Sequence, residues 1–179
     1  MSKKKTTSTT SPSPIYIFRG HAEQINCLEF IENNRYLISG DAERNIIIWD
    51  MISRRSKIQF KAHKDGVLKV IKCKEKLISY GRDNTLHVWE FDKISNVTDN
   101  GNNELIKPEV SLTVNSLNFC KFDLYYEEIG DKCEFLIAVP SAKDSSGIDV
   151  WNLTKQKVIA TSIGLDQNDK NNKTGTSFF

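Results

Sequence analysis

Three residue types able to do proton or nucleophile chemistry, followed by a tryptophan, recur along this chain in the same order. The first set is His21, Ser39, Glu43 and Trp49; the second is His63, Ser79, Asp83 and Trp89. Imidazole titrates near neutrality, and a histidine beside a carboxylate and a serine hydroxyl is the material of a hydrolytic triad. The duplication argues against that chemistry. Each copy ends in its own tryptophan, 28 residues after the histidine in the first and 26 in the second, and one active site needs no second copy. No catalytic residue is expected. Four cysteines (Cys27, Cys73, Cys120, Cys133) form no Cys-x-x-Cys pair, so the paired spacing common in zinc sites is missing and neither metal nor cofactor is expected. Cys27, Cys73 and Cys120 lie in apolar-rich strand candidates, where a thiol behaves as a small hydrophobe.

The elements that must position these residues are short strands separated by turns. Phe18-Arg-Gly-His21 leads through Ile25–Ile31 and Tyr36-Leu-Ile-Ser39 to Ile48-Trp49-Asp50; Phe60-Lys-Ala-His63 leads through Val67–Cys73 and Lys76-Leu-Ile-Ser79 to Val88-Trp89-Glu90. Strands are expected at Ile15–Phe18, Ile25–Ile31, Tyr36–Ser39 and Asn45–Trp49, then at Lys57–Phe60, Val67–Cys73, Lys76–Ser79 and Thr85–Trp89. A third, degenerate unit offers Leu112–Phe122, Phe135–Val139 and Ile148–Leu153, with the acidic run Asp123–Glu134 as a long connection. In it Ala138 is expected where the serines stand, no histidine precedes the first strand, and Trp151 is expected as a plain core aromatic. No long segment has helical spacing.

At 179 residues, 39% hydrophobic and 27% charged, the chain has the composition of a soluble globular domain. No apolar run approaches the roughly 18 residues of a membrane span. Lys3, Lys4 and Lys5 supply more than the net charge of +2; the remainder balances 22 basic against 23 acidic residues. So nearly neutral a body does not predict nucleic-acid binding, which demands clustered positive charge. Lys69, Lys72, Lys74 and Lys76 form one basic cluster, read as a solvated face with docking of an acidic partner as the alternative. Residues 1–14 are too polar to form a core and are expected to be a disordered basic Ser/Thr-rich tail. Residues 165–179 are a polar tail.

The repeating pattern resembles WD repeats, units that supply four strands each to a β-propeller. The resemblance implies an all-β fold, a partial propeller of about three four-stranded antiparallel blades over 15–164, with repeats at about 15–51, 57–91 and 110–153. It also implies a role for the recurring residues. In that family the histidine, hydroxyl, acid and tryptophan of a repeat form one buried hydrogen-bond network: His63, Ser79, Asp83 and Trp89 here, and His21, Ser39, Glu43 and Trp49, with glutamate where aspartate is usual. Propellers generally have four to eight blades, so the chain reads as truncated after about three.

A finer resemblance rests on Gly81-Arg82-Asp83, Ser116-Leu-Asn-Phe-Cys120, Phe135-Leu-Ile-Ala-Val-Pro140 and Val150-Trp151. This succession is similar to the ASTRA-associated protein 1 family, whose animal relatives are the G-protein β-subunit-like proteins. It implies a non-catalytic scaffold subunit of a nuclear assembly, the ASTRA complex. The assembly links chromatin remodelling to AAA+ ATPases and to the cochaperones that mature phosphatidylinositol-3-kinase-related kinases. The alternatives are an adaptor of another complex, in ubiquitin ligation or ribosome assembly, and a non-functional truncated product.

Overall fold

The computed structural model describes residues 11–95, 106–115, 121–130, 132–144 and 146–163. The expectations for residues 1–10, the polar stretch 96–105, Ser116–Cys120 and the tail 165–179 lie outside these residues.

Three four-stranded antiparallel sheets follow one another along the chain. Blade 1 is β1 (Ile25–Ile31), β2 (Tyr36–Asp41), β3 (Asn45–Asp50) and β4 (Arg55–Lys61); blade 2 is β5 (Val67–Cys73), β6 (Lys76–Gly81), β7 (Thr85–Glu90) and β8 (Val110–Thr113). A single helical turn, α1 (Phe91–Ser95), follows β7 and buries Phe91 and Ile94. Blade 3 is β9 (Asp123–Ile129), β10 (Lys132–Pro140), β11 (Ile148–Asn152) and β12 (Lys157–Ile163). In each blade the strands lie side by side in chain order, so every connection is a short hairpin except that from β7 to β8.

The blades pack face to face through two separate cores. Ile38, Ile48, Phe60, Val70, Leu77 and Trp89 belong to the core between blades 1 and 2. Ile78, Tyr80, Val88, Phe122, Ile137 and Val139 belong to that between blades 2 and 3. A central strand covered on both faces reads as a continuous apolar run rather than an alternating one, which accounts for Ile46-Ile47-Ile48, all buried in β3. On the face of blade 1 turned away from blade 2, which no described sheet covers, the outer-strand position is bare. Leu28 pairs with Ser39 as Val70 pairs with Ser79, yet Val70 is 3% exposed against blade 1 and Leu28 is 60% exposed.

Three sequence expectations are corrected. Ile15–Phe18 is not a strand: no described strand lies beside it to complete a ladder, and Ile15 and Ile17 are exposed. Phe18 nevertheless packs edge-on against Trp49 at 5.4 Å, as Phe60 does against Trp89 at 5.3 Å. The acidic run 123–134 is not a connection but a hairpin, with β9 laid along β10 from Asp123↔Ala138 to Ile129↔Lys132. β9 is a blade edge, so Asp123, Tyr125, Glu127 and Glu128 are exposed while Leu124 packs toward the core. The third repeat also shifts, because Val110–Thr113 closes blade 2 as its fourth strand; blade 3 runs from Asp123 to Ile163.

Candidate functional site

In blade 2 the recurring residues form one continuous chain of hydrogen bonds. Trp89 Nε1 donates to Ser79 Oγ at 2.9 Å, Ser79 Oγ meets His63 Nε2 at 2.8 Å, and His63 Nδ1 lies 3.1 Å from Asp83 Oδ1. Donors and acceptors alternate without a gap if the indole N–H gives to the serine oxygen, the serine O–H to Nε2, and Nδ1–H to the carboxylate. Asp83 also accepts from the Thr85 hydroxyl at 2.6 Å and from the Lys64 N–H at 2.8 Å. Burial alone would raise the Asp83 carboxyl, but the hydrogen bonds from Thr85, Lys64 and His63 outweigh it and hold it below the usual carboxylate range. Burial lowers the His63 ring, opposed by Asp83.

Blade 1 builds the same relay with a different acid. Trp49 Nε1 donates to Ser39 Oγ at 2.8 Å, and Ser39 Oγ lies 2.5 Å from His21 Nε2. The carboxylate at His21 Nδ1, 2.6 Å away, is that of Asp41, not Glu43. Glu43 contributes only its backbone N–H, which donates to Asp41 Oδ1. The assignment of Glu43 to this network is therefore corrected. Glu43 sits in the turn, whereas Asp41 ends β2 beside the ring and is fully buried. Burial would raise Asp41 too, but hydrogen bonds from Asn45 and His21 dominate and lower it.

Gly81 explains why the two blades differ. It holds the position of Asp41, pairing with Val67 as Asp41 pairs with Ile25. A Cβ there would lie 2.3 Å from His63 Nδ1 and 2.5 Å from Asp83 Oδ1. With the acid two residues later, this site must be empty of side chain; with the acid at this site, the later residue is free to be glutamate.

Blade 3 lacks the relay. By register Val139, not Ala138, stands where the serines stand, because Trp151 pairs with Ile137 as Trp49 pairs with Leu37 and Trp89 with Leu77. No hydroxyl meets the Trp151 indole, whose Nε1 is buried without a hydrogen-bond partner.

This arrangement is not one for nucleophilic attack. Ser39 and Ser79 are 1% and 0% exposed, and each hydroxyl is capped by an indole N–H. One cluster of metal-ligand types exists among the described residues, His63, Asp83 and His87, with ligating atoms within 4.8 Å of one another. The two imidazoles stack at 4.6 Å with planes 23° apart, so their in-plane lone pairs run side by side instead of converging. Both His63 nitrogens are already engaged. His87, on the same face as Ser79 and Trp89, bonds Thr85 and Ser111, and burial followed by the neighbouring His63 lowers it to about 4.

The lysine cluster proves to be internal clasps. From β5, Lys72 reaches Glu32 of blade 1 at 2.6 Å, Lys69 donates to the Phe122 carbonyl at 2.7 Å, and Lys74, just beyond, reaches Glu128 of blade 3 at 2.6 Å. Lys76 pairs with Glu109 within blade 2. The lysines are legible in the sequence but their partners are not, because the acids come from distant segments. No described helix is long and apolar enough to cross a membrane.

Residues 12–50 match the family described as WD domain, G-beta repeat, and the three blades have the strand order of that repeat. Those residues carry a WD repeat. Among structures, the chain is similar to the WD40 repeats of RRP9 (TM-score 0.58, 18% identity, 83% of this chain and 41% of that one). It is also similar to the computationally designed Ika4 protein (TM-score 0.55, 16% identity, 86% and 81%). At these identities they speak to fold alone. Among curated proteins it resembles ASTRA-associated protein 1 of Aspergillus niger, 32% identical over 184 residues, and that of Penicillium rubens, 31% identical over 195 residues. The matches cover 83% and 93% of this chain but 42% and 44% of those proteins; the chain spans less than half the length of the relatives it matches.

Proposed function

We propose that this WD-repeat chain is a non-catalytic scaffold that serves in a nuclear ASTRA-type assembly, presenting blade edges and turns to partner proteins. The observation that carries the reading is the similarity to ASTRA-associated protein 1 across most of the chain. The geometry supports a scaffold role. The polar residues with chemical potential are consumed in holding blades rigid, and a fully satisfied buried network specifies one packing. In this reading the partners are AAA+ ATPases, cochaperones and phosphatidylinositol-3-kinase-related kinases, and the chain's role touches chromatin remodelling and kinase maturation. Affinity purification of the tagged chain, read by quantitative mass spectrometry, is the test. Recovery of those kinases and their cochaperones is expected; recovery of cullins or pre-ribosomal proteins in their place would overturn the reading.

A further inference from the structure

The outer strand of blade 1, β4, ends its sheet, and among the described residues it pairs only with β3. An edge strand presents a row of unpaired amide and carbonyl groups to whatever lies beside it. Along this edge the charge is of one sign. Residues 54–61 read Arg-Arg-Ser-Lys-Ile-Gln-Phe-Lys, four cations and no acid. Ile58 and Phe60 belong to the core, whereas Arg54, Arg55, Lys57 and Lys61 are exposed. None of the four cations has an ion-pair partner among the described residues. Two are steadied on aromatic rings: the Arg54 guanidinium lies 5.4 Å from the centre of Tyr16, and Lys57 Nζ 4.9 Å from that of Tyr36. Asp50 faces Arg55 in register, but one oxygen accepts the Ile52 and Ser53 N–H groups and the other stands 3.8 Å from Arg35. Lys57 shares a cleft with Glu32, Glu75 and Asp92, so the charge open to a partner is chiefly that of Arg54, Arg55 and Lys61. Cations on an edge commonly keep like edges apart, yet the other outer strands do without them. Strand β8, Val-Ser-Leu-Thr, has none, and β12 has one, Lys157.

We propose that β4 takes an extended acidic segment of a partner protein as a fifth strand of blade 1. The backbone of that segment completes the open ladder, as in other cases of strand addition, and its carboxylates meet Arg54, Arg55 and Lys61. Opposite charges on neighbouring strands support pairing and like charges oppose it. The same cations therefore refuse a basic segment, including the β4 edge of a second copy. A nucleic-acid phosphate could meet the cations, but it has no row of amide and carbonyl groups to fill the ladder. The inference rests on reading the chain as a protein-binding scaffold and adds the edge used and the charge of the partner.

Fluorescence anisotropy with the full chain and labelled heptapeptides tests it. The peptide Glu-Val-Glu-Val-Glu-Val-Glu is expected to bind about tenfold tighter than its Lys-for-Glu counterpart. N-methylation of alternate backbone amides in the acidic peptide should cost about tenfold, because it removes ladder donors while keeping every charge. The double variant Arg55→Gln, Lys61→Gln should lose about tenfold as well. Its melting temperature shows that the fold persists, and the methylated peptide tests the ladder with the protein unaltered. No binding of the acidic peptide, indifference to methylation, indifference to the double variant, or tighter binding of a thymidine heptanucleotide would overturn the proposal. Each of these failures leaves the scaffold reading standing, since that reading fails separately, through the wrong partners in the purification.

Discussion

Asp41 and Gly81 hold the same register position in adjacent blades, each facing the first residue of its blade's inner strand. Asp41 delivers the carboxylate to His21 from that position, and Gly81 vacates it so that Asp83 can deliver one to His63. One hydrogen-bond relay thus has two backbone solutions, offset by two residues.

Blade 1 supplies the direct check of the reassigned acid. Asp41→Asn should destabilise the chain by about 1–3 kcal/mol, since it removes a charged acceptor from a buried ring. Glu43→Gln should stay within about 0.5 kcal/mol, as surface changes do. Urea midpoints of the two variants give the order, and a larger loss for Glu43→Gln would return the acid to the turn.

In blade 2, Gly81→Asp alone should be severely destabilising because its Cβ meets His63 and Asp83. Adding Asp83→Ala should recover part of the loss, converting blade 2 to the blade 1 solution. Thermal unfolding of the single and double variants measures the recovery, and a double variant less stable than Gly81→Asp would contradict the offset.

Trp89 and Trp151 should respond differently to loss of the indole N–H. Trp89→Phe leaves Ser79 without its donor, whereas Trp151→Phe removes a donor that is already unpaired. The first should cost about 1–3 kcal/mol more than the second. Equal losses in denaturant unfolding would mean that Trp151 has a partner.

The pH response follows from rings held neutral. Above about 6.5 the ring of His87 is neutral in both folded and unfolded chains. Between there and about 4 the unfolded chain binds a proton that folded His87 refuses, so stability falls as pH falls through this window. The lowered His63 acts in the same direction. Asp41 and Asp83, held below 3.8, add a second loss as pH falls further, because the unfolded chain protonates first. His87→Phe should flatten the first window while keeping the stack on His63. Urea midpoints at pH 7.5, 5.5 and 4.5 would show it, and an unchanged slope would count against the assignment.

The sequence made the blades legible because the His-to-Trp spacing and the apolar runs are local. Where it misled, the deciding neighbour was distant. Glu43 stands at the expected place after the serine, but which acid meets the ring depends on the turn's path. Similarity of pattern points to Ala138, whereas the β10–β11 register selects Val139. The density of acids in 123–134 concealed a strand, since an edge can send every second side chain, and most carboxylates, to water. Ile15–Phe18 reads as a strand in composition, yet a strand exists only where another offers it a ladder.

The two cores share no side chain, and blade 2 contributes to both. Contacts of this kind make stability a sum over neighbouring units. Blades 1 and 3 can each fray while the opposite interface stays intact, but the central blade cannot open without dissolving both. Hydrogen exchange should accordingly be slowest in β6, with protection decaying outward in two independent steps. In thermodynamic terms the three sheets behave as a short linear lattice whose middle site carries the cooperativity.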